Sequence, residues 1–353
     1  MNAEPRNTPE FHQEHPGTHL LLSEQIRRGG GLLFVDSTAD TNLLKEIQQH
    51  AARYGREHDV LVINPGDPSR SNSYNPILYG SPDEVASRIL SIIPSTESNA
   101  GADFYRQSNL QGLVMLIGAL QRAGLAYHFM DLSILFTNPC ALSDLERMVA
   151  AAAPESNEAR NLSVFLGQFR VPAESGMIAP LDVNRMKTLF GGLGGRLFVL
   201  GSGHFGKVMN TYDPEINLFE GIRHNKIIYC VPPTMGKAES ARAFGKVLAG
   251  DLRAALARLR AITTSESVWP DFSCFFDDHL FPNEMKTLGK CECLGAIGGD
   301  TLYSVWAPFI DPAGKTDSKP GEPQAGREYP TYTNGSDFFK NAARYLTDSD
   351  LDE

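Results

Sequence analysis

A chain of 353 residues, 42% hydrophobic and 21% charged, has the composition of a globular protein with one large or two ordinary cores. Its net charge of −10 argues against a free-standing nucleic-acid binder, which carries a basic balance. The five cysteines (Cys140, Cys230, Cys274, Cys291, Cys293) form no CxxC pair and have no histidines at finger spacing, which excludes a zinc finger and fits reduced thiols in a cytoplasmic protein.

Residues 1–18 are rich in Pro, His, Asn and Glu, lack an apolar targeting core, and read as a mobile arm. His12, His15 and His19 crowd this arm and read as solvated. Residues 19–30 predict a helix that stops at a glycine run. Gly31–Asp36 (GLLFVD) is an unbroken apolar run that suits a strand buried on both faces. Leu43, Leu44, Ile47, Ala51 and Tyr54 then fall on one helical face, and His58–Pro65 (HDVLVINP) predicts a second buried strand. Helix–strand–helix–strand is the rhythm of a parallel α/β sheet.

Ser81 followed by Pro82 and two acids marks a helix start. From about Asp103 to Leu200 the spacing is mostly helical, as an all-α insertion would be. Leu110–Leu125, the longest apolar stretch, is interrupted by Gln111, Gln121 and Arg122 and predicts no membrane segment. The α/β rhythm returns with a strand in Asn225–Pro233, a helix over Lys237–Arg260 that is basic on balance from Ala241 onward, and a strand over Asp271–Asp278. The expected division is an arm over 1–18, an α/β domain over 19–100 and 201–311, an all-α domain over 101–200, and a polar linker with an acidic tail over 312–353.

The sharpest chemical signal is Cys274-Phe275-Phe276-Asp277-Asp278, an apolar strand ending in two acids. In P-loop ATPases such a strand presents one acid that holds Mg²⁺ and a second that polarises the attacking water. Asp277 is the candidate Mg²⁺ ligand and Asp278 the candidate catalytic acid, one methylene shorter than the usual Glu. The matching phosphate loop, G-x-x-x-x-G-K-[ST], occurs nowhere in the chain. His15–Leu22 stands where it would be expected, with one glycine and no lysine. Gly201, Gly203, Gly206 and Lys207 follow an apolar run and imitate a dinucleotide fingerprint, but Asn210 and Asp213-Pro214 break the helix that must follow. That run reads as a glycine hinge between two lobes. Cys291-Glu-Cys293 supplies only two soft ligands, too few for a metal site.

Several stretches together resemble the TraD/TraG-type coupling ATPases of conjugative transfer and type IV secretion, closest to the branch in integrative conjugative elements. They are Glu24–Asp36, His58–Pro76, Ala102–Leu132, Gly203–Lys237 and Phe244–Leu256, in the family's order. The resemblance implies a RecA-like, P-loop-NTPase-type parallel sheet with an inserted all-α domain. It implies Asp277 at the Mg²⁺-binding position and Asp278 at the position of the catalytic Glu, with ATP and Mg²⁺ as cofactors if the site is active. Family members are membrane-anchored hexamers that move single-stranded DNA with its relaxase towards a secretion channel. Against that pattern the chain lacks the phosphate loop and membrane helices, and it departs from the family beyond Asp278. The expected function is a coupling-protein-like component, degenerate in ATP hydrolysis, that acts as a binding or regulatory module. Expected partners are intact coupling ATPase subunits, a relaxase or channel proteins; expected location is cytoplasmic, held to the inner membrane only through partners. The alternatives are an active ATPase with an unconventional phosphate site and a truncated, inactive product.

Overall fold

Apolar strands buried on both faces need helices on both sides, and the molecule supplies them. The computed structural model describes residues 16–36, 41–93, 100–172, 179–233, 238–262, 270–277 and 296–297. The strands are β1 (Gly31–Val35), β2 (Val60–Ile63), β3 (Ile227–Cys230), β4 (Phe272–Asp277) and β5 (Ala296–Ile297). They form one parallel sheet in the order β2-β3-β1-β4-β5. The α/β parallel architecture expected from the sequence is therefore present.

Side chains alternate between two cores, as the strand period demands. Leu33, Val35, Ile228, Cys230 and Cys274 face one core, while Leu32, Phe34, Ile227, Tyr229 and Phe275 face the other. The smaller core is closed by α1 (Pro16–Arg27) and α2 (Thr41–Arg53), through Leu22, Ile26, Leu43, Ile47 and Ala51. Tyr54 departs from its expected place on that helical face. The helix stops at Arg53, the chain turns at Gly55 with φ +67°, and Tyr54 is left exposed.

The larger core is shared between the sheet and a run of helices lying between β2 and β3 in sequence: α3 (Pro82–Leu90), α4 (Ala100–Arg122), α5 (Phe129–Thr137), α6 (Pro139–Ala152), α7 (Asn157–Gly167), α8 (Val183–Gly201), α9 (Gly203–Met209) and α10 (Leu218–Arg223). After β3, α11 (Ala238–Ile262) returns along the sheet. Its residues Ala241, Phe244, Leu248, Leu252, Ala255 and Leu259 recur at helical spacing and are buried in the same core. The expected start of α3 is realised as a reciprocal cap: Ser81 Oγ accepts from the Glu84 N–H, and Glu84 Oε2 accepts from the Ser81 N–H at 2.7 Å.

The edge strand β2 does not present a bare row of backbone groups. The Val62 N–H donates to Asn72 Oδ1 at 2.9 Å, the Asn72 N–H returns to the Val62 carbonyl at 2.7 Å, and the Asn64 N–H donates to Ser71 Oγ at 2.8 Å. No helix among the described residues is long and apolar enough to cross a membrane.

Candidate site at the carboxyl edge of the sheet

In an open parallel sheet, the strand carboxyl ends and helix N-termini converge on one edge, where ligands bind. Here β1 ends at Val35 and hands on to Asp36, and β4 ends at Asp277. Val35 is registered against Phe276. Continuing that register by one residue places Asp36 and Asp277 side by side. Asp277 is also paired with Ile297 of β5. Two aspartates thus occupy neighbouring strand ends.

Asp36 is 2% exposed, and its place is fixed from both main chain and side chain. Its N–H donates to the Cys230 carbonyl at 2.8 Å, and its Oδ2 accepts a short hydrogen bond from the Tyr229 hydroxyl. Tyr229 is itself held by a parallel stack on Phe34, with ring centroids 5.7 Å apart. The apolar face of the sheet therefore aims a hydroxyl at the carboxylate on its rim. Next to it, burial pushes the Cys230 thiol well up and the Asp36 carboxylate adds to that, so Cys230 is no nucleophile at neutral pH.

The N-terminus of α1 is directed to this same edge. The helix reaches β1 through a turn at Gly29 and Gly30, and Leu22 and Ile26 pack in one core with Leu32 and Phe34, so helix and strand run antiparallel. A helix N-terminus there carries a partial positive charge. The turn after β2 closes on Asn64 Oδ1, which accepts from the Gly66 and Asp67 N–H groups, both at 3.0 Å. Near the start of α11, Arg196 of α8 pairs with Glu239 at 3.2 Å.

Ionised carboxylates are acceptor-only hard oxygen donors, the chemistry that suits Mg²⁺, an ion usually held by one or two protein carboxylates plus waters and substrate phosphates. The register brings the main chains of Asp36 and Asp277 to neighbouring positions on this edge. Among the described residues no group of three metal-binding side chains stands together, so a protein-only cage is not formed there.

Of the predicted site residues, Asp277 ends β4 as expected, and Asp278 lies outside the described residues. So do His12, His15, Cys291, Cys293, most of the N-terminal arm and the acidic tail, while His19 falls within α1. Asp36 was not singled out from sequence, although the rule that picked Asp277, an apolar strand ending in an acid, applies to it equally.

The glycine-rich imitation of a fingerprint resolves differently from the expected hinge between lobes. The apolar run before it is the last turns of α8, and the chain breaks at Ser202 and restarts as α9, with Gly203 at φ +56°. The break is packed tight. A Cβ on Gly201 would lie 2.7 Å from the Met130 nitrogen, and one on Gly206 would lie 2.4 Å from the Gly201 carbonyl oxygen. Asn210 seals the joint by donating to that carbonyl at 2.6 Å.

No protein-family profile matches the sequence, and no curated protein does. Solved structures that are similar include the bacterial conjugative coupling protein TrwB in an unbound monoclinic form, at 12% identity and TM-score 0.34, covering 71% of this chain and 56% of that one. TrwB with the non-hydrolysable GTP analogue GDPNP (13%, 0.34) and with the ATP analogue ADPNP (14%, 0.35) each match over 71% of this chain and 57% of theirs. The chain thus spans little more than half the length of these structures.

Proposed function

We propose that the chain is a coupling-protein-like component of conjugative DNA transfer, with a RecA-like sheet that keeps the acidic half of a nucleotide site and acts as a binding or regulatory module. The observation that carries this reading is the placement of Asp36 and Asp277 on adjacent strand ends in a sequence with no G-x-x-x-x-G-K-[ST] loop. In phosphoryl transfer the loop amides and lysine cradle the phosphates, while the acids serve only the metal and the water. A rim with acids and no cradle favours holding a cation or a partner over turning over ATP. The ordered stretches that resemble coupling ATPases, from Glu24 to Leu256, point to conjugative transfer as the setting and to an intact coupling ATPase, a relaxase or a channel protein as the partner. Asp278 would be the second acid of the rim, and the division into an α/β body and an all-α insertion over 101–200 belongs to the same reading. Single-stranded DNA binding by the chain alone should be weak and strongly salt-dependent, given the net charge of −10.

The test is nucleotide binding by the full chain with and without Mg²⁺, alongside Asp277→Ala. The expected result is no Mg²⁺-dependent ATP binding in the micromolar range and co-purification with an intact coupling ATPase or relaxase. Micromolar ATP affinity that is lost in Asp277→Ala would instead establish an active ATPase with an unconventional phosphate site. Failure of both binding and association would leave the inactive product.

A further inference from the structure

On its buried side α8 packs Met186, Phe190, Leu193 and Leu197 into the larger core. On the opposite side Asn184, Thr188, Gly192, Gly195 and Val199 recur at helical spacing and are exposed, with Phe198 beside Val199. Phe198 and Val199 are 48% and 49% exposed. A Cβ on Gly191, Gly192 or Gly195 would meet nothing within 4 Å, whereas Gly194 and Gly201 are closed by Thr137 and Met130. Glycine inside a helix lowers its stability, so the last two have an internal reason and the first three have none. Their effect is a smooth strip about 22 Å long from Asn184 to Val199, ending in two large apolar side chains.

The charge on this helix is of one sign. α8 bears Arg185, Lys187 and Arg196 and no acid. Of the neighbouring acids, Asp182 is spent on the Arg185 N–H at 3.0 Å, and Glu239 on Arg196 at 3.2 Å. The Arg185 side chain is held by the Gln168 carbonyl at 2.7 Å and by the Phe169 ring, whose centroid is 5.5 Å from the guanidinium carbon. Lys187 stands exposed beside it. The strip is therefore apolar at its C-terminal end, small in its middle and cationic at its N-terminal end, where the helix dipole adds positive charge.

Residues 336–353 carry the matching order. Phe338 and Phe339 are followed by Ala342 and Ala343, then by Tyr345 and Leu346, and then by Asp348, Asp350, Asp352 and Glu353. The apolar positions fall at helical spacing, and no base follows Arg344. This stretch lies outside the described residues. We propose that it docks on the solvent strip of α8, antiparallel to it, as a segment of the same chain. In that register Phe338 and Phe339 meet Phe198 and Val199, Ala342 comes against Gly195, and the acids reach Arg185 and Lys187. Alanine facing glycine lets the two segments approach closely, which the open glycines otherwise leave unused. Residues 298–335 separate this stretch from β5, a length that spans roughly 120 Å when extended, so the segment can reach α8. While docked it closes this face to other proteins. The assignment does not depend on the reading of the carboxyl edge.

The experiment places Gly195→Cys and Ala342→Cys in the full chain, in a background with Cys140→Ser, Cys291→Ser and Cys293→Ser. The remaining Cys230 and Cys274 are buried. Mild oxidation of dilute protein should give a disulfide within one chain. It should form about tenfold faster, or more, than in a control that replaces Gly195→Cys by Asn161→Cys, an exposed position on α7. Gly192→Gln has room for its side chain and improves the helix, yet it should slow the disulfide about tenfold by blocking approach. Phe198→Ser, a second block at an exposed position, should do the same. Replacing the four acids by Asn and Gln should slow the reaction and remove its sensitivity to molar NaCl. A urea midpoint that does not fall confirms that each variant is folded. A rate equal to the Asn161→Cys control or disulfides between chains that increase with protein concentration would overturn the proposal. So would indifference to Gly192→Gln and Phe198→Ser, or to loss of the acids.

Discussion

Arg88 on α3 and Asp251 on α11 meet at 2.8 Å inside the larger core, where only 2% and 13% of their side chains are exposed. Tyr74 completes the arrangement by donating its hydroxyl to the other Asp251 oxygen. Burial pushes the Asp251 carboxyl above its ordinary range, and Arg88 and Tyr74 pull against that. A pair like this is costly to break from one side, because the surviving charge stays buried without its partner. Asp251→Ala should therefore destabilise the fold by roughly 3–5 kcal/mol. Tyr74→Phe, which removes one hydrogen bond, should cost about 1 kcal/mol. The double variant Arg88→Met with Asp251→Leu should be far less harmful than Asp251→Ala alone. Urea unfolding of the three variants measures all of this, and a double variant as damaged as the single one would contradict it.

The glycines of α8 divide into two groups with opposite expected signs. Gly191, Gly192 and Gly195 have open space where a Cβ would go. Each replacement by Ala should stabilise by roughly 0.5–1 kcal/mol, through the smaller entropy lost on folding. Gly194 is tighter, with Thr137 Cγ2 3.0 Å from the Cβ position, and its carbonyl accepts from Ser133 Oγ at 2.9 Å. Gly201 is closed by the Met130 backbone, which cannot step aside as a side chain tip would. Gly201→Ala should cost about 1–3 kcal/mol by overpacking. Thermal unfolding of Gly195→Ala against Gly201→Ala gives the contrast directly, and shifts of the same sign would refute this packing.

At the amino edge, burial pushes the Asp59 carboxyl up, but hydrogen bonds from Lys226 at 2.6 Å and Arg56 at 3.0 Å outweigh it and hold the group below its ordinary 3.8. A carboxyl depressed in the folded state binds its proton more weakly there than in the unfolded chain. Its stabilisation is complete above the ordinary value and is lost as pH falls through the folded one. The expected outcome is an acid limb, below about pH 4, that is shallower in Asp59→Asn than in the wild type. Parallel limbs in a pH series of urea midpoints would count against it. Arg56 should be less forgiving than Lys226, since it also donates to the carbonyls of Gly30 and Asn225 that end the helix and turn beside β1 and β3.

What was readable from sequence was local. Strands β1 to β4 announced themselves as short apolar runs, and Ser81-Pro82 with Glu84 specified a cap that forms as written. The helical nature of the middle of the chain also followed from spacing, up to the apolar run before Gly201, which forms the last turns of α8. What could not be read was non-local. The placing of Asp36 and Asp277 on neighbouring strand ends depends on β1 lying against β4, and nothing in either segment encodes that neighbour. Tyr74 and Asp251 are 177 residues apart, so the polar centre of the larger core was invisible. Tyr54 shows the reverse failure: it kept the helical spacing, but the helix had already ended ahead of Gly55.

The thiols offer a check on how the sheet is buried. Cys230 and Cys274 lie on β3 and β4, on either side of β1, and both are buried in the larger core. Burial pushes Cys230 well up and Cys274 to about 12, so neither forms thiolate at neutral pH. Cys140 stands exposed in the first turn of α6, where its N–H donates to the Asn138 cap at 2.9 Å. In a background with Cys291→Ser and Cys293→Ser, a water-soluble disulfide reagent should modify one thiol quickly, and that reaction should disappear in Cys140→Ser. Cys230 and Cys274 should react only at the rate of global unfolding, and should become fast across the urea transition. Rapid modification of either in native buffer would mean that the sheet opens locally, and would remove the basis for treating Asp36, held beside Cys230, as a rigid part of the rim.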